Sequence, residues 1–188
     1  MGRLDGWRHC PRCAAPVVLA PGRADCAACG FTAWANAAPT ASALVEGVQG
    51  RLLLCRRAIE PFRGFWDIPG GFLHEDEHPL DALVREVREE TGLDVEPGAY
   101  AGCWLDTYGE PGEDGVLFTL NLFWRVHVRP LPGGAAPDPV PADDVAELAW
   151  FAADALPPRD ELAFTCVPLA LEAWRAQGPG RPGPCSTC

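Results

Sequence analysis

Between residues 79 and 91, Leu80, Leu83, Val84, Val87 and Thr91 recur at helical spacing, which predicts an amphipathic helix with one core-facing side. Pro79 suits its first turn, where a missing N–H is no loss. Gly92 suits its C-terminal cap, and Glu75, Asp76 and Glu77 lie where the positive end of the helix dipole favours acids. Glu86, Glu89 and Glu90 are related by i+3 and i+4 and are expected to share a second face, away from the apolar stripe.

Shorter runs on either side read as strands. TASALVEG (40–47) and RLLLCRRA (51–58) predict two strands joined near Gln49-Gly50, and GFWDIPGGF (64–72) a third extended piece. The stretches 100–107, 116–128 and 145–151 complete the set, and a second helix is expected over about 160–175. Tyr108 to Gly115 is acidic and glycine-rich, and 130–144 is Pro/Gly-rich and reads as a flexible connection. The pattern predicts an α/β fold: a mixed sheet between two helices, an α/β/α sandwich.

Charge narrows the partners. The 188-residue chain carries 15 basic and 26 acidic residues, net −11. Such a balance argues against a protein that coats nucleic acid or a membrane surface. It would also repel a polyanionic substrate unless metal ions mediate the contact. No apolar window is long enough to cross a bilayer and no secretory leader is evident, so a cytoplasmic location with reduced or metal-bound cysteines is expected.

Cys10-x-x-Cys13 and Cys26-x-x-Cys29, twelve residues apart with Gly30 following, form a Zn²⁺ signature. Each pair would direct two thiolates at one ion in a closed, structural site; two disulfides or free thiols are the alternatives. A segment this short cannot bury enough core to fold alone, so bound metal would stabilise it. The expected organisation is a zinc ribbon over 1–36, a main domain over 37–175, and a tail over 176–188 of disordered composition carrying Cys185 and Cys188.

Clustering Glu86, Glu89 and Glu90 costs a few tenths of a kcal/mol per like-charge pair, which a hard divalent cation would offset, since Mg²⁺ takes oxygen ligands and brings substrate phosphates with it. The plain alternative is a solvated acidic face with Arg85 pairing Glu89. Gly71, Glu77, Arg85, Glu86, Glu89, Glu90 and Gly92 stand in the pattern Gly-x5-Glu-x7-Arg-Glu-apolar-x-Glu-Glu-x-Gly-apolar. At ~7% usage per residue type, a chance match is on the order of one in a million. This run resembles the signature box of the Nudix hydrolases with no departure, and the ribbon ahead of it is similar to the NADH pyrophosphatase branch, although no SQPWPFP-type run follows the box.

The resemblance implies a Nudix-type α/β/α sandwich and hydrolysis of the diphosphate of a nucleoside diphosphate linked to another moiety, with Mg²⁺ or Mn²⁺ as cofactor. It implies Gly71, Glu77, Glu86, Glu89 and Glu90 as metal ligands and Arg85, Glu86 and Glu89 as catalytic, with Arg85 orienting a glutamate. The general base is Glu86 or an acid of a downstream loop: Glu110, Glu113 or Asp114. Arg56, Arg57 and Tyr108 are substrate-binding candidates. Trp66, Trp104, Phe118 and Trp124 could stack on a base but sit in strand-like context and are expected in the core. His74 and His78 are expected at the surface.

ADP-ribose or a related dinucleotide is the expected substrate. Tyr108 stands near the spacing at which a tyrosine accompanies dinucleoside polyphosphates in relatives, and Pro111 slightly beyond that at which a proline accompanies ADP-ribose. NADH or NAD is one alternative. A non-catalytic nucleotide sensor is another, in which the ribbon, with Arg3, Arg8, Arg12 and Arg23, serves as a binding module. The partners expected are a small nucleotide and, through the ribbon, a second copy of the chain; nucleic acid is not expected.

Overall fold

A computed structural model describes residues 3–109 and 117–177. The N-terminal part is a three-stranded antiparallel sheet, β1 (Val18–Ala20), β2 (Arg23–Asp25) and β3 (Thr32–Trp34). The main part is built on β4 (Ala38–Glu46), β5 (Leu52–Arg57), β6 (Trp66–Asp67), β7 (Gly70–Phe72), β8 (Val95–Tyr108), β9 (Leu117–Val128) and β10 (Val145–Phe151). Two helices accompany them: α1 (Pro79–Thr91) and α2 (Cys166–Gln177).

The seven-stranded sheet runs β10-β5-β4-β9-β8, with β6 beside β5 and β7 beside β4. β4 and β9 are parallel, with Thr40 opposite Asn121; the other pairings are antiparallel. The sheet is therefore mixed, as expected. Alternation sorts its side chains into two cores. Ala41, Ala43, Val45, Leu53 and Val126 meet Ala82, Leu83 and Val87 of α1. Leu44, Leu52, Leu54 and Phe123 meet Val167, Ala170, Leu171 and Trp174 of α2.

Helix α1 keeps the expected limits. His78 is its N-cap, its Nδ1 accepting the Leu80 N–H at 3.2 Å, and Gly92 closes it in the left-handed region at φ 70°. Its buried side is rotated from the expected stripe: Ala82, Leu83, Val87, Glu90 and Thr91 are buried, while Leu80 and Val84 are half-buried. Helix α2 starts at Cys166 rather than near 160, because Phe164 adopts φ 50° and a separate 3₁₀ turn occupies Arg159–Glu161. Asp106 of β8 accepts the Cys166 N–H at 2.6 Å and the Thr165 hydroxyl at 3.0 Å, so the cap of α2 comes from a strand 60 residues away.

The 130–144 segment forms no regular element, yet it is anchored. Val140 and Ala142 donate backbone N–H groups to the Thr91 and Glu90 carbonyls, which the last turn of α1 leaves without helical partners. No helix of the described residues is long and apolar enough to cross a membrane.

Candidate active site and metal cluster

The four N-terminal cysteines converge. Each Cys-x-x-Cys pair forms a turn in which the residue four on from its first cysteine donates back to that cysteine's carbonyl: Ala14 to Cys10 and Gly30 to Cys26, both at 2.9 Å. Ala14 and Gly30 take φ 60° and 73°, which closes the turns. The Cys10 and Cys29 sulfurs are 3.6 Å apart, as are those of Cys13 and Cys26, and all four lie within 4.8 Å of one another. A disulfide needs about 2.05 Å, whereas a tetrahedron with 2.3 Å metal–sulfur bonds has edges of about 3.8 Å. The thiols are free, so the donor set fits one tetrahedral ion and not two disulfides. Backbone N–H groups of Cys29 and Ala28 aimed at the Cys26 sulfur bring its pKa down to about 7, while its neighbour Cys13, hydrogen-bonded to the other sulfurs, is pushed up to about 12, so without an ion the crowded thiols share protons.

At the other site, Arg85 is the hub. Its Nε and Nη2 each donate to Glu77 at 2.8 Å, Nη1 donates to Glu86 at 2.8 Å and to Glu89 at 3.0 Å, and Nη2 also reaches the Phe72 carbonyl at 3.1 Å. Glu77, gripped by Arg85 and by the His74 N–H, has its pKa lowered to about 2. It is thus tied to Arg85 rather than poised as a dipole charge alone. The two roles expected of Arg85, orienter of glutamates and i+4 partner of Glu89, describe bonds that coexist.

The three glutamates do not share one outward face. Glu89 is half-exposed, Glu86 is largely covered, and Glu90 lies beneath the helix at 6% exposure. Successive helical positions differ by about 100°, so Glu90 falls beside the buried Val87 side and not away from it. There its Oε2 accepts the Gly70 N–H at 2.9 Å. Burial pushes the Glu90 carboxyl well up, and the charges of Asp144 and Glu86 push it further. Burial likewise raises Glu86, against the pull of Arg85. Arg85 engages Oε1 of Glu86 and Oε2 of Glu89, and Gly70 engages Oε2 of Glu90. One oxygen of each carboxylate is left without a hydrogen bond among the described residues.

The glycines beside this group are sterically required. A Cβ on Gly71 would stand 2.6 Å from the Glu86 carboxyl, and one on Gly70, at φ 145°, would stand 2.3 Å from the Ala41 carbonyl oxygen. The chain runs against the carboxylates here with no room for a side chain.

A cleft opens from Gly70 and Gly71, lined by Arg57, Asp67, Phe72, Tyr108 and Phe164 over a floor of Thr40, Thr119 and Asn121. Of the three substrate candidates, Arg57 and Tyr108 line it and Arg56 does not. Arg56 pairs with Glu147 at 2.8 Å and lies over the Trp66 ring at 4.4 Å, because adjacent strand residues face opposite ways. Arg57 donates to Pro61 at 2.7 Å and to Asp67 at 3.2 Å, and Tyr108 beside it joins Asp67 in favouring its charge. Tyr108 stacks on Phe164 at 5.7 Å and meets Phe72 edge-on at 5.3 Å.

Of the other aromatics, Trp66 is core, Trp104 and Trp124 pack half-buried against Phe123 and Tyr100, and Phe118 is exposed. His74 and His78 are at the surface. Glu110, Pro111, Glu113, Asp114, Cys185 and Cys188 lie outside the described residues. Residues not singled out from sequence are Asp67, which sequence placed in a strand without a role, Asp144, and the floor trio. Asp144 bears on Glu86, Glu90 and Asp67 through its charge; an acid just before a strand was its one sequence signal.

Comparison with known proteins sets this geometry in a family. The NUDIX domain family matches residues 37–167. A NAD-capped RNA hydrolase NudC of Stutzerimonas stutzeri (strain A1501) is 29% identical over 182 residues, spanning 94% of this chain and 59% of that protein. An ADP-ribose pyrophosphatase of Methanocaldococcus jannaschii is 31% identical over 123 residues, 64% of this chain and 65% of that one. The chain thus spans 43% to 59% of the length of the NudC relatives it matches. The crystal structure of a NUDIX hydrolase from Nitrosomonas europaea superposes with a TM-score of 0.72 at 23% identity, covering 94% of this chain and 96% of that one, a likeness of fold. With the signature glutamates ranged along α1 against Gly70 and Gly71, and the family match covering the sheet and both helices' starts, the chain belongs to the NUDIX family.

Proposed function

We propose that the protein is a metal-dependent hydrolase of the diphosphate bond in a nucleoside diphosphate linked to another moiety, with ADP-ribose or a related dinucleotide as substrate. The observation that carries this reading is the packing of Glu86 against Gly71 and of the buried Glu90 on the Gly70 N–H, where each carboxylate bears on the other and Asp144 adds its charge, with no salt bridge to Glu90 among the described residues. Burying like charges together is unfavourable unless something positive joins them, and one unengaged oxygen on each of Glu86, Glu89 and Glu90 suits Mg²⁺ or Mn²⁺.

Glu86, Glu89, Glu90 and the Gly71 carbonyl would hold the ions, with Asp144 as a further acid within reach of the same charge. The ions supply charge neutralisation of the diphosphate and acidify the attacking water. Where Glu89 and Glu90 carry the ions, Glu86, its proton affinity raised by burial, would be the base that takes the water's proton. Arg85 holds Glu86 and Glu89 in position, and Glu77 fixes Arg85 from behind. Arg57, held by Pro61 and Asp67, brings a positive charge to the cleft wall for a substrate oxygen, and the Phe72, Tyr108 and Phe164 rings flank a flat group. In the ribbon, the four cysteines would hold Zn²⁺ as a closed structural site.

The kinship with NudC proteins supports a second reading, NADH or NAD as substrate. Both are tested by assaying AMP release from ADP-ribose, NAD, NADH and diadenosine polyphosphates with Mg²⁺ or Mn²⁺, alongside Glu89→Gln. Turnover of one substrate, lost at least about a hundredfold in the folded variant, supports the assignment. Nucleotide binding without turnover of any would favour a sensor, and a fully active Glu89→Gln enzyme would remove the catalytic role.

A further inference from the structure

The floor of the cleft contains a chain of hydrogen bonds whose directions are forced. Asn121 Nδ2 lies 3.2 Å from the Trp104 backbone carbonyl, which can only accept. The amide orientation is thereby set, with its nitrogen toward Trp104 and its oxygen toward Thr40. The Thr40 hydroxyl must then donate to Asn121 Oδ1, at 2.8 Å. The same Nδ2 donates to Thr119 Oγ1 at 3.0 Å, so that hydroxyl is an acceptor. A hydroxyl has one proton and two lone-pair sites. Thr40 has spent its proton and keeps acceptor capacity; Thr119 keeps its proton, with no acceptor for it among the described residues. Both threonines are buried, at 7% and 4% exposure, and both line the cleft with Asn121.

We infer that Thr40 and Thr119, set in opposite senses by Asn121, select a flat group presenting a donor beside an acceptor: the amidine edge of adenine or the carboxamide of nicotinamide. The rings of Phe72, Tyr108 and Phe164 supply the walls such a group requires. Asn121 is the positioning residue, since it sets both hydroxyls while both of its amide protons are spent on Trp104 and Thr119. Deamination inverts the match. Hypoxanthine carries an acceptor where adenine carries a donor, and a donor where adenine carries an acceptor; nicotinate offers two acceptors and no donor. A site with buried polar groups discriminates strongly against an analogue that leaves them unpaired.

This inference takes the cleft to be the substrate pocket of the proposed hydrolase, and its test does not need turnover. Calorimetric titration of the full chain with Mg²⁺ would compare AMP with IMP, and nicotinamide mononucleotide with nicotinic acid mononucleotide. One amide- or amidine-bearing member should bind about 10- to 100-fold more tightly than its deaminated partner. Preference within the first pair assigns the floor to adenine, and within the second to nicotinamide. Thr119→Val, close in shape, should shrink that preference by weakening the preferred member more than its deaminated partner, with the thermal midpoint recorded as a check on folding. Equal affinity within both pairs, preference for a deaminated member, no binding of any of the four, or equal weakening of both members by Thr119→Val would overturn the inference. A retained preference in a protein that hydrolyses nothing would refute the hydrolase reading and leave this one standing.

Discussion

Arg85 and Glu77 are joined at two points, Nε to Oε1 and Nη2 to Oε2, each at 2.8 Å. This fork fixes the plane of the guanidinium, and the plane decides where Nη1 presents itself to Glu86 and Glu89. Lysine keeps the charge but has no fork. Arg85→Lys should therefore lower kcat about 10- to 100-fold, the range typical of groups that orient metal ligands, with far-ultraviolet circular dichroism unchanged. Glu77→Gln should do the same through Arg85. Wild-type kcat in either variant would show that the fork is dispensable.

The Glu90 carboxyl is protonated more readily in the folded chain than in the unfolded one, because burial raises its pKa, and Glu86 shifts in the same direction. Between the unfolded value, about 4.3, and the raised folded one, the native state binds more protons, so stability falls as pH rises. Metal-free protein should accordingly lose thermal stability on going up through this window, and Mg²⁺ or Mn²⁺ should restore it by neutralising the same carboxylates. Glu90→Gln should flatten the metal-free profile. A metal-free profile that rises over this range, or one that Glu90→Gln leaves unaltered, would contradict the account.

Asp106 caps α2 from β8 through the Cys166 N–H and the Thr165 hydroxyl. Asp106→Ala removes both acceptors and should destabilise the fold by about 1 kcal/mol, a fall in Tm of roughly 2–4 °C for a chain of this size. Calorimetry on the two proteins decides it; an unchanged Tm would mean that water replaces the cap without loss.

Removing the ribbon thiols Cys10 and Cys26 should release one zinc per chain, read by elemental analysis against protein concentration, while the purified wild type carries one equivalent. Unchanged zinc content in the double variant would disprove the four-cysteine assignment.

What the sequence disclosed follows the range of each signal. The limits of α1 were legible because Pro79 and Gly92 act on their own residues. The start of α2 was not, because its cap is contributed by Asp106 and its entry turn depends on the φ of Phe164, neither of which leaves a local pattern. Glu90 stands out in the sequence as a candidate ligand, yet its burial escapes a reading by i+3 and i+4 alone, since the apolar stripe is wide enough to include it. The division between Arg56 and Arg57 could have been anticipated, since neighbours in a strand point to opposite faces. The 130–144 segment reads as flexible by composition, while its hydrogen bonds to the end of α1 are set by tertiary proximity. The floor of the cleft depends on Thr40 lying opposite Asn121, a parallel register across 81 residues that no local window contains.

That register also dictates the order in which the molecule can assemble. Strand β4 is central, but its parallel partner β9 ends at Val128, so this edge of β4 stays unpaired until the chain through β9 is available. Long-range pairing of this kind is slow, because loop closure must precede the contacts that reward it. The ribbon is different: its sulfur contacts span at most 19 residues. The four cysteines can therefore come together while β4 to β9 are still an open chain, so this segment reaches order long before the cleft exists.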